Sequence, residues 1–392
     1  MSGEALHEAV GGRCDPSFLH VREAMRENLA TRGELGAAVA VIVDGRPVVD
    51  LWCGHSDGAR SSAWREGTLV NVFSVGKALA GLCVLMLISR GGLELDEPVS
   101  RRWPEFARAG KSEITVRQVL SHQAGLAAIE RELADGALYE WDTVVGALAE
   151  QAPSWTPGSG HGYHVHTFGF LTGEILRRAS GESIDRFLRR EIADRLGVEL
   201  GFGLARSSRE RRAEYVFDLG PEGRSGARRR FSSGEGSSGE LRARAYLNPP
   251  GAMGLETVNT EAWQSAVLPS ANMHADARSL AAVYAALLDG GGGLLDPELL
   301  SLAASEASDG EDLVLGRPSR FGLAFQLTQP ERPLGPNRGG FGHFGAGGSL
   351  AFADPDAGVA FAYVMNKGGA QWRDPRNRAL VDAVYAALEG VG

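Results

Sequence analysis

Residues 73–90 read Phe73-Ser74-Val75-Gly76-Lys77-Ala78-Leu79-Ala80-Gly81-Leu82-Cys83-Val84-Leu85-Met86-Leu87-Ile88-Ser89-Arg90. Between Val75 and Ile88 the single charged residue is Lys77. A segment that is apolar all round is a buried helix rather than a surface one, and Gly91-Gly92 supplies its stop. Ser74 opens this helix and Lys77 follows one turn later. Residues i and i+3 of a helix share a face, with Cβ atoms about 5–6 Å apart. The helix N-terminus adds partial positive charge and free N–H groups, which favour a neutral amine and stabilise an oxyanion. Apolar surroundings lower the lysine pKa further. A neutral amine beside a hydroxyl is an arrangement for general-base activation of a nucleophile.

A serine three residues before a lysine also arises by chance, mostly on solvated helix faces. Two features separate this pair from that background. It is the only Ser-x-x-Lys in the chain, and only three of the 40 basic residues are lysines: Lys77, Lys111 and Lys367. Arginine keeps its proton at any working pH, whereas lysine can act as a base once its pKa falls. A buried ammonium with no role costs roughly several kcal/mol. A rival nucleophile is Ser56 in Gly54-His55-Ser56-Asp57-Gly58, which fits the G-x-S-x-G elbow. An elbow needs a buried helix after it, and the following ARSSAWREGT is polar with no apolar stripe. The fragment reads as a Gly-rich turn.

Outward from the helix, the chain reads as strands, helices, strands, helix. Apolar positions at helical spacing cover 17–32. Two apolar runs, 37–43 and 48–52, flank Asp44-Gly45, a hairpin signal. From 71 to 205 the pattern is helical, with further helices expected at 114–121, 142–151, 167–180 and 183–196. Residues 206–245 are rich in Gly, Ser and Arg and read as an exposed, flexible insertion. A helix is expected at 275–289, strands at 321–327, 349–353 and 359–365, and a last helix at 376–389. This order predicts an α/β (α+β) chain whose antiparallel sheet forms from both chain ends, flanked by helices. Residues 1–70 and 270–392 would make the sheet part of one catalytic domain, and 71–269 a mainly helical part.

The 392-residue chain has a net charge of −9, which excludes a general nucleic-acid binder. Cys14, Cys53 and Cys83 have neither an even count nor C-x-x-C spacing, so neither a disulfide framework nor a zinc site is expected. The first residues carry acids and no apolar stretch, and no 18-residue apolar window occurs, so neither a signal peptide nor a membrane partner is expected and the cytoplasm is the default.

Phe-Ser-x-x-Lys opening an apolar helix resembles the serine β-lactamase and penicillin-binding-protein superfamily. Three further segments carry the resemblance, in order, across about 35–390. Leu120-Ser121-His122-Gln123-Ala124-Gly125-Leu126 is similar to the LLxHxSGL stretch, and Pro157 to Tyr163 to the PGxxxxY segment that carries a tyrosine. Gly342-His343-Phe344-Gly345-Ala346-Gly347-Gly348 is similar to the final Gly-rich strand motif. The closest subfamily resemblance is to class C β-lactamase-like carboxylesterases and their acyltransferase relatives. The resemblance implies Ser74 as nucleophile, Lys77 as its base and Tyr163 as the acid/base for the leaving group. It also implies an oxyanion hole from the N–H groups of Ser74 and Ala346, with His343 able to hydrogen-bond Tyr163 or substrate. It implies no cofactor and no metal.

Two departures matter. Val165 stands where β-lactamases carry Asn, and His343-Phe344-Gly345 stands in place of Lys-Thr-Gly. Both remove polar groups that recognise amides and carboxylates, which favours esters or thioesters. His161, His164 and His166 alternate, but no carboxylate or Cys at metal spacing accompanies them, so they read as packing residues or pocket wall. His122 reads as a brace for the turn after its helix, and Asn272 as a brace or loop end. The expected activity is ester hydrolysis through an acyl-enzyme on Ser74. The alternatives are acyl transfer to an amine or alcohol, a β-lactamase or D-amino-acid peptidase, and a non-enzymatic acylatable binding protein.

Overall fold

The structure is a computed structural model that describes residues 10–220, 223–226, 236–369 and 372–390. The hairpin around Asp44-Gly45 forms strands β2 (Gly36–Val43) and β3 (Arg46–Gly54). Both turn residues have positive φ, +47° and +73°, which suits the twist of a two-residue hairpin. Strand β1 (Gly11–Cys14) pairs with the outer edge of β3. The C-terminal third supplies β4 (Ser308–Asp312), β5 (Arg317–Phe321), β6 (Gln326–Leu327), β7 (Phe341–Phe344), β8 (Leu350–Asp354) and β9 (Val359–Met365). These nine strands form one antiparallel sheet in the order β1-β3-β2-β9-β8-β7-β6-β5-β4. The two chain ends meet at its centre, where Val359 to Met365 pair with Val43 to Ala37.

Five of the longer helices are α1 (Leu19–Thr31), α2 (Val75–Ser89), α3 (Thr167–Ser180), α4 (Ala277–Leu288) and α5 (Pro375–Glu389). Helix α4 lies across β2, β8 and β9, α1 packs on β3 and against α5, and α2 touches β7 and packs against α3. Every residue of β9 is buried, so both faces of the sheet are covered there, and its unbroken apolar run follows from that. Among the described residues no helix is long and apolar enough to cross a membrane.

Residues 321–327 do not form one strand. Strand β5 ends at Phe321 and β6 begins at Gln326, and the intervening Gly322–Phe325 is a buried turn. Ala324 adopts φ +72° and its N–H donates to the Leu120 carbonyl at 2.8 Å. A Cβ on Gly81 of α2 would sit 2.0 Å from the Ala324 Cβ. The run is apolar because this turn plugs into α2, and a buried turn has the same composition as a buried strand.

Of the Gly/Ser/Arg-rich stretch 206–245, residues 221–222 and 227–235 lie outside the described residues. The described part is built into the fold. Val216–Phe217 pair in parallel with Lys367–Gly368, Tyr215 is buried, and Gly236–Leu247 form a helix.

Candidate active site

Ser74 is the residue immediately before α2, and the turn that delivers it is strained. Phe73 adopts φ +48°, a region unfavourable for a bulky residue. Its ring is locked by Tyr215, Phe217 and Trp263 at centroid distances of 4.9, 6.1 and 6.4 Å. The strand before it is fixed by Val70–Asn71 pairing with Met273–Ala275 and by the Val72 N–H bond to the Met273 carbonyl.

One turn on, Lys77 Nζ lies 3.0 Å from Ser74 Oγ and 3.0 Å from the Ser270 carbonyl. The side chain is 1% exposed, and burial alone holds its pKa well below that of a free lysine. Gly76 permits this approach: a Cβ there would meet Met273 Cβ at 2.8 Å and the Pro269 carbonyl at 3.1 Å, either side of the carbonyl that Lys77 uses.

Tyr163 arrives from a loop. Its ring stacks on Phe321 at 5.8 Å and lies 4.9 Å from Lys77 Nζ. Burial raises the phenol pKa, and the nearby Ser74 hydroxyl opposes that rise. The Ser74 hydroxyl, the Ser270 carbonyl and the Tyr163 ring thus gather around Lys77 Nζ from three separate segments.

The tyrosine is anchored by a residue the sequence did not point to. The buried carboxylate of Asp312, at the end of β4, accepts from the Tyr163 N–H at 3.1 Å through both oxygens. It also accepts from Val314 N–H, Leu315 N–H and Ser319 Oγ, and Ser319 Oγ in turn bonds His161 Nε2 at 2.9 Å. Asp312 lies among other acids in Asp309-Gly310-Glu311-Asp312, so nothing local marks it. It is a positioning residue. Asp312→Ala is expected to lower kcat/KM roughly 100-fold by displacing Tyr163, with soluble protein retained. A variant with wild-type kcat/KM contradicts the assignment.

His343, on β7, faces the Tyr163 ring with centroids 6.0 Å apart and makes no hydrogen bond to it. Its Nδ1 lies 2.6 Å from the Phe344 carbonyl. A carbonyl only accepts, so Nδ1 carries the proton and Nε2 presents a lone pair. Nε2 is buried with no partner. Burial first, and the Lys77 charge second, push the imidazole down to about 3. The turn after β7 places Ala346, whose carbonyl accepts from Tyr215 Oη at 3.1 Å. Among the described residues neither the Ala346 nor the Ser74 backbone N–H has an acceptor.

The remaining candidates are structural. His164 Nε2 accepts from Leu126 N–H, and its Nδ1 bonds the Gly162 carbonyl. His166 reaches the Tyr246 carbonyl at 3.3 Å. His122, at φ +62°, packs against Tyr163, Phe168 and Phe321, and accepts from His164 N–H. Asn272 ties Leu268 N–H to the Trp263 and Ala266 carbonyls. Ser56 lies in a bend, bonded to the Ser62 carbonyl, with no helix behind it. Lys111, the other buried lysine, is held by the Arg108, Ala149 and Gln151 carbonyls.

The Beta-lactamase family model matches residues 21–386. Esterase/beta-lactamase LipL of Mycobacterium tuberculosis is 33% identical over 374 residues, covering 91% of this chain and 83% of the relative. Two crystal structures superpose with TM-scores of 0.86. One is a penicillin-binding protein homolog from Caulobacter crescentus, 38% identical, and the other a family VIII carboxylesterase, 34% identical. Each alignment covers 97% of this chain and 100% of the other.

Proposed function

The chain belongs to the Beta-lactamase family, and on that premise we propose that it is a serine acyl hydrolase that cleaves esters through an acyl-enzyme on Ser74. The observation that carries the reading is the 3.0 Å contact of Lys77 Nζ with Ser74 Oγ in a site where burial disfavours the ammonium. The neutral amine takes the Ser74 proton as Oγ attacks the ester carbonyl. The tetrahedral oxyanion is received by the unoccupied N–H groups of Ser74 and Ala346, the first of them at a helix N-terminus.

Tyr163 passes a proton to the leaving oxygen and is reprotonated by the proton that Lys77 took from Ser74, a route supported by the 4.9 Å between Lys77 Nζ and the Tyr163 ring. The raised phenol pKa favours the protonated form that a donor needs. The bare Nε2 of His343 accepts a hydrogen bond from the leaving alcohol or from the water that enters for deacylation. Water then attacks the acyl carbonyl, its proton returns through Lys77 and Tyr163, and Ser74 is released as the hydroxyl. Tyr163→Phe keeps the ring stack but removes this proton, and is expected to lower kcat by roughly 10²–10⁴-fold. Unchanged kcat contradicts the role.

Esters are favoured over β-lactams because Val165, buried and apolar, offers no partner to an amide side chain, and His343 is uncharged. The deciding experiment is a panel of p-nitrophenyl esters, acyl thioesters and a chromogenic cephalosporin, with and without amine acceptors. p-Nitrophenyl butyrate is expected to exceed the cephalosporin in kcat/KM by roughly 100-fold or more. Cephalosporin turnover above ester turnover would overturn the ester reading. An amine product exceeding hydrolysis would move the enzyme to acyl transfer.

A further inference from the structure

The turn after β7 is pinned from behind by groups that take no part in the mechanism above. Its three successive carbonyls each accept from a side chain of another segment. Ala346 accepts from Tyr215 Oη at 3.1 Å, Gly347 from Arg376 Nη2 at 2.9 Å and Gly348 from Asn377 Nδ2 at 2.8 Å. The Gly369 N–H adds a second bond to the Gly347 carbonyl at 2.9 Å. Gly347 and Gly348 take φ of +84° and +129°, and a Cβ on either would overlap Tyr215 or Asp374. The turn also abuts the nucleophile: a Cβ on Gly345 would overlap the carbonyl of Val72, two residues before Ser74. Tyr215 joins the two sides, since its ring packs on Phe73 at 4.9 Å.

Arg376, in the first turn of α5, is the centre of this arrangement. It is buried, and its five N–H groups meet five acceptors. Nε and Nη2 reach the two oxygens of Asp374 at 3.0 and 2.6 Å, and Nη1 reaches Glu34 at 3.0 Å and the Lys367 carbonyl at 2.8 Å. The Gly347 carbonyl is the fifth. Glu34 in turn accepts from Tyr363 Oη. A planar fork with every donor occupied holds its acceptors in one geometry, which a lysine with three donors cannot do. The bonds continue beyond Gly347. Its carbonyl shares a peptide group with the Gly348 N–H, which donates to the Gly345 carbonyl at 3.4 Å. That carbonyl shares a peptide group with the Ala346 N–H. Aligned dipoles therefore run from a buried cation to this N–H, and each bond in such a chain polarises the next.

We propose that Arg376 and Tyr215 are positioning residues for the oxyanion hole. Arg376 fixes and polarises the Ala346 N–H through the Gly347 carbonyl, and Tyr215 holds the Ala346 carbonyl against the turn that delivers Ser74. The proposal rests on the hydrolase reading, in which that N–H receives the oxyanion. Neither side chain touches the ester, so their contribution is made to the tetrahedral state and not to substrate binding.

The test sets p-nitrophenyl butyrate beside propylboronic acid, a mimic of the tetrahedral state. Ser74 Oγ adds to the trigonal boron, the serine proton passes to Lys77, and the anionic boronate places an oxygen in the hole. Arg376→Lys is expected to lower kcat roughly 10- to 100-fold, to keep KM within about 3-fold and to raise the Ki of the boronic acid by the same factor as kcat falls. Tyr215→Phe, which keeps the ring on Phe73, is expected to move the same two quantities in the same direction. Arg378→Gln, on the exposed face of α5, is expected to change none of them. A variant that is only destabilised loses active protein, and with it apparent kcat, but keeps its Ki. An unchanged Ki in Arg376→Lys therefore overturns the proposal, while wild-type turnover of the ester leaves the hydrolase reading standing. If Arg376→Lys is insoluble, Tyr215→Phe decides by the same criterion. Wild-type protein that neither cleaves the ester nor binds the boronic acid overturns both readings.

Discussion

Ser74→Ala abolishes hydrolysis of p-nitrophenyl butyrate, an expected loss of roughly 10⁴–10⁶-fold in kcat, while Ser56→Ala stays within about 2-fold of wild type. The contrast follows from what stands behind each hydroxyl. Ser74 has Lys77 Nζ at 3.0 Å and an unused N–H at the mouth of a buried helix. Ser56 has a backbone carbonyl of its own loop and a solvated bend. Ser74→Ala removes one oxygen at the N-cap of α2, where the serine side chain makes no capping bond, so helix stability is expected to be kept. Progress curves on purified variants, with circular dichroism to verify folding, read the result. An inactive Ser56→Ala beside an active Ser74→Ala would assign the nucleophile to the other loop.

Lys77→Met is expected to lower kcat/KM by roughly 10³-fold or more and to change two pH dependences. Lys77 is a base only above its lowered pKa. In wild type kcat/KM therefore falls about tenfold per pH unit as pH drops below that value. His343, at about 3, is neutral across this range and contributes no limb. The variant loses the acid limb. The second dependence is stability. An unfolded lysine holds its proton to about pH 10.4. Between the folded pKa and that value the unfolded chain binds more protons, so wild-type stability rises with pH there. In the variant that contribution is gone, and methionine, apolar and of similar length, is expected to raise the thermal midpoint near neutral pH. A variant with the acid limb intact would show that another group is the base.

The helix and the hairpin were legible because each carries its own signal. An unbroken apolar run with one lysine can only be buried, and Asp44-Gly45 between two apolar runs selects its turn. Ser74 and Lys77 share a helix, so their meeting follows from local geometry alone. Tyr163, His343 and Ala346 were reached only through their motifs, because contacts across 89 or more residues leave no periodicity in the chain. Asp312 was invisible: its partners are backbone N–H groups of a distant loop, and backbone carries no sequence signature. The turn at 322–325 misled because its residues are buried in α2, and burial writes the same apolar letters into a turn as into a strand. Ser56 shows the converse, a motif match whose flanks lack the helix that the chemistry needs.

The central claim is tested most directly by where the acyl group goes. Wild-type protein is mixed with p-nitrophenyl butyrate, quenched in acid within the first turnover, digested with trypsin and mapped by mass. Cleavage after Arg65 and Lys77 releases Ser74 in residues 66–77, and cleavage after Arg60 separates it from the peptide that holds Ser56. The expected result is a butyryl mass on residues 66–77, assigned to Ser74 by fragmentation and missing from Ser74→Ala. A butyryl group on the Ser56 peptide, or turnover with no acylated peptide at all, would contradict the account.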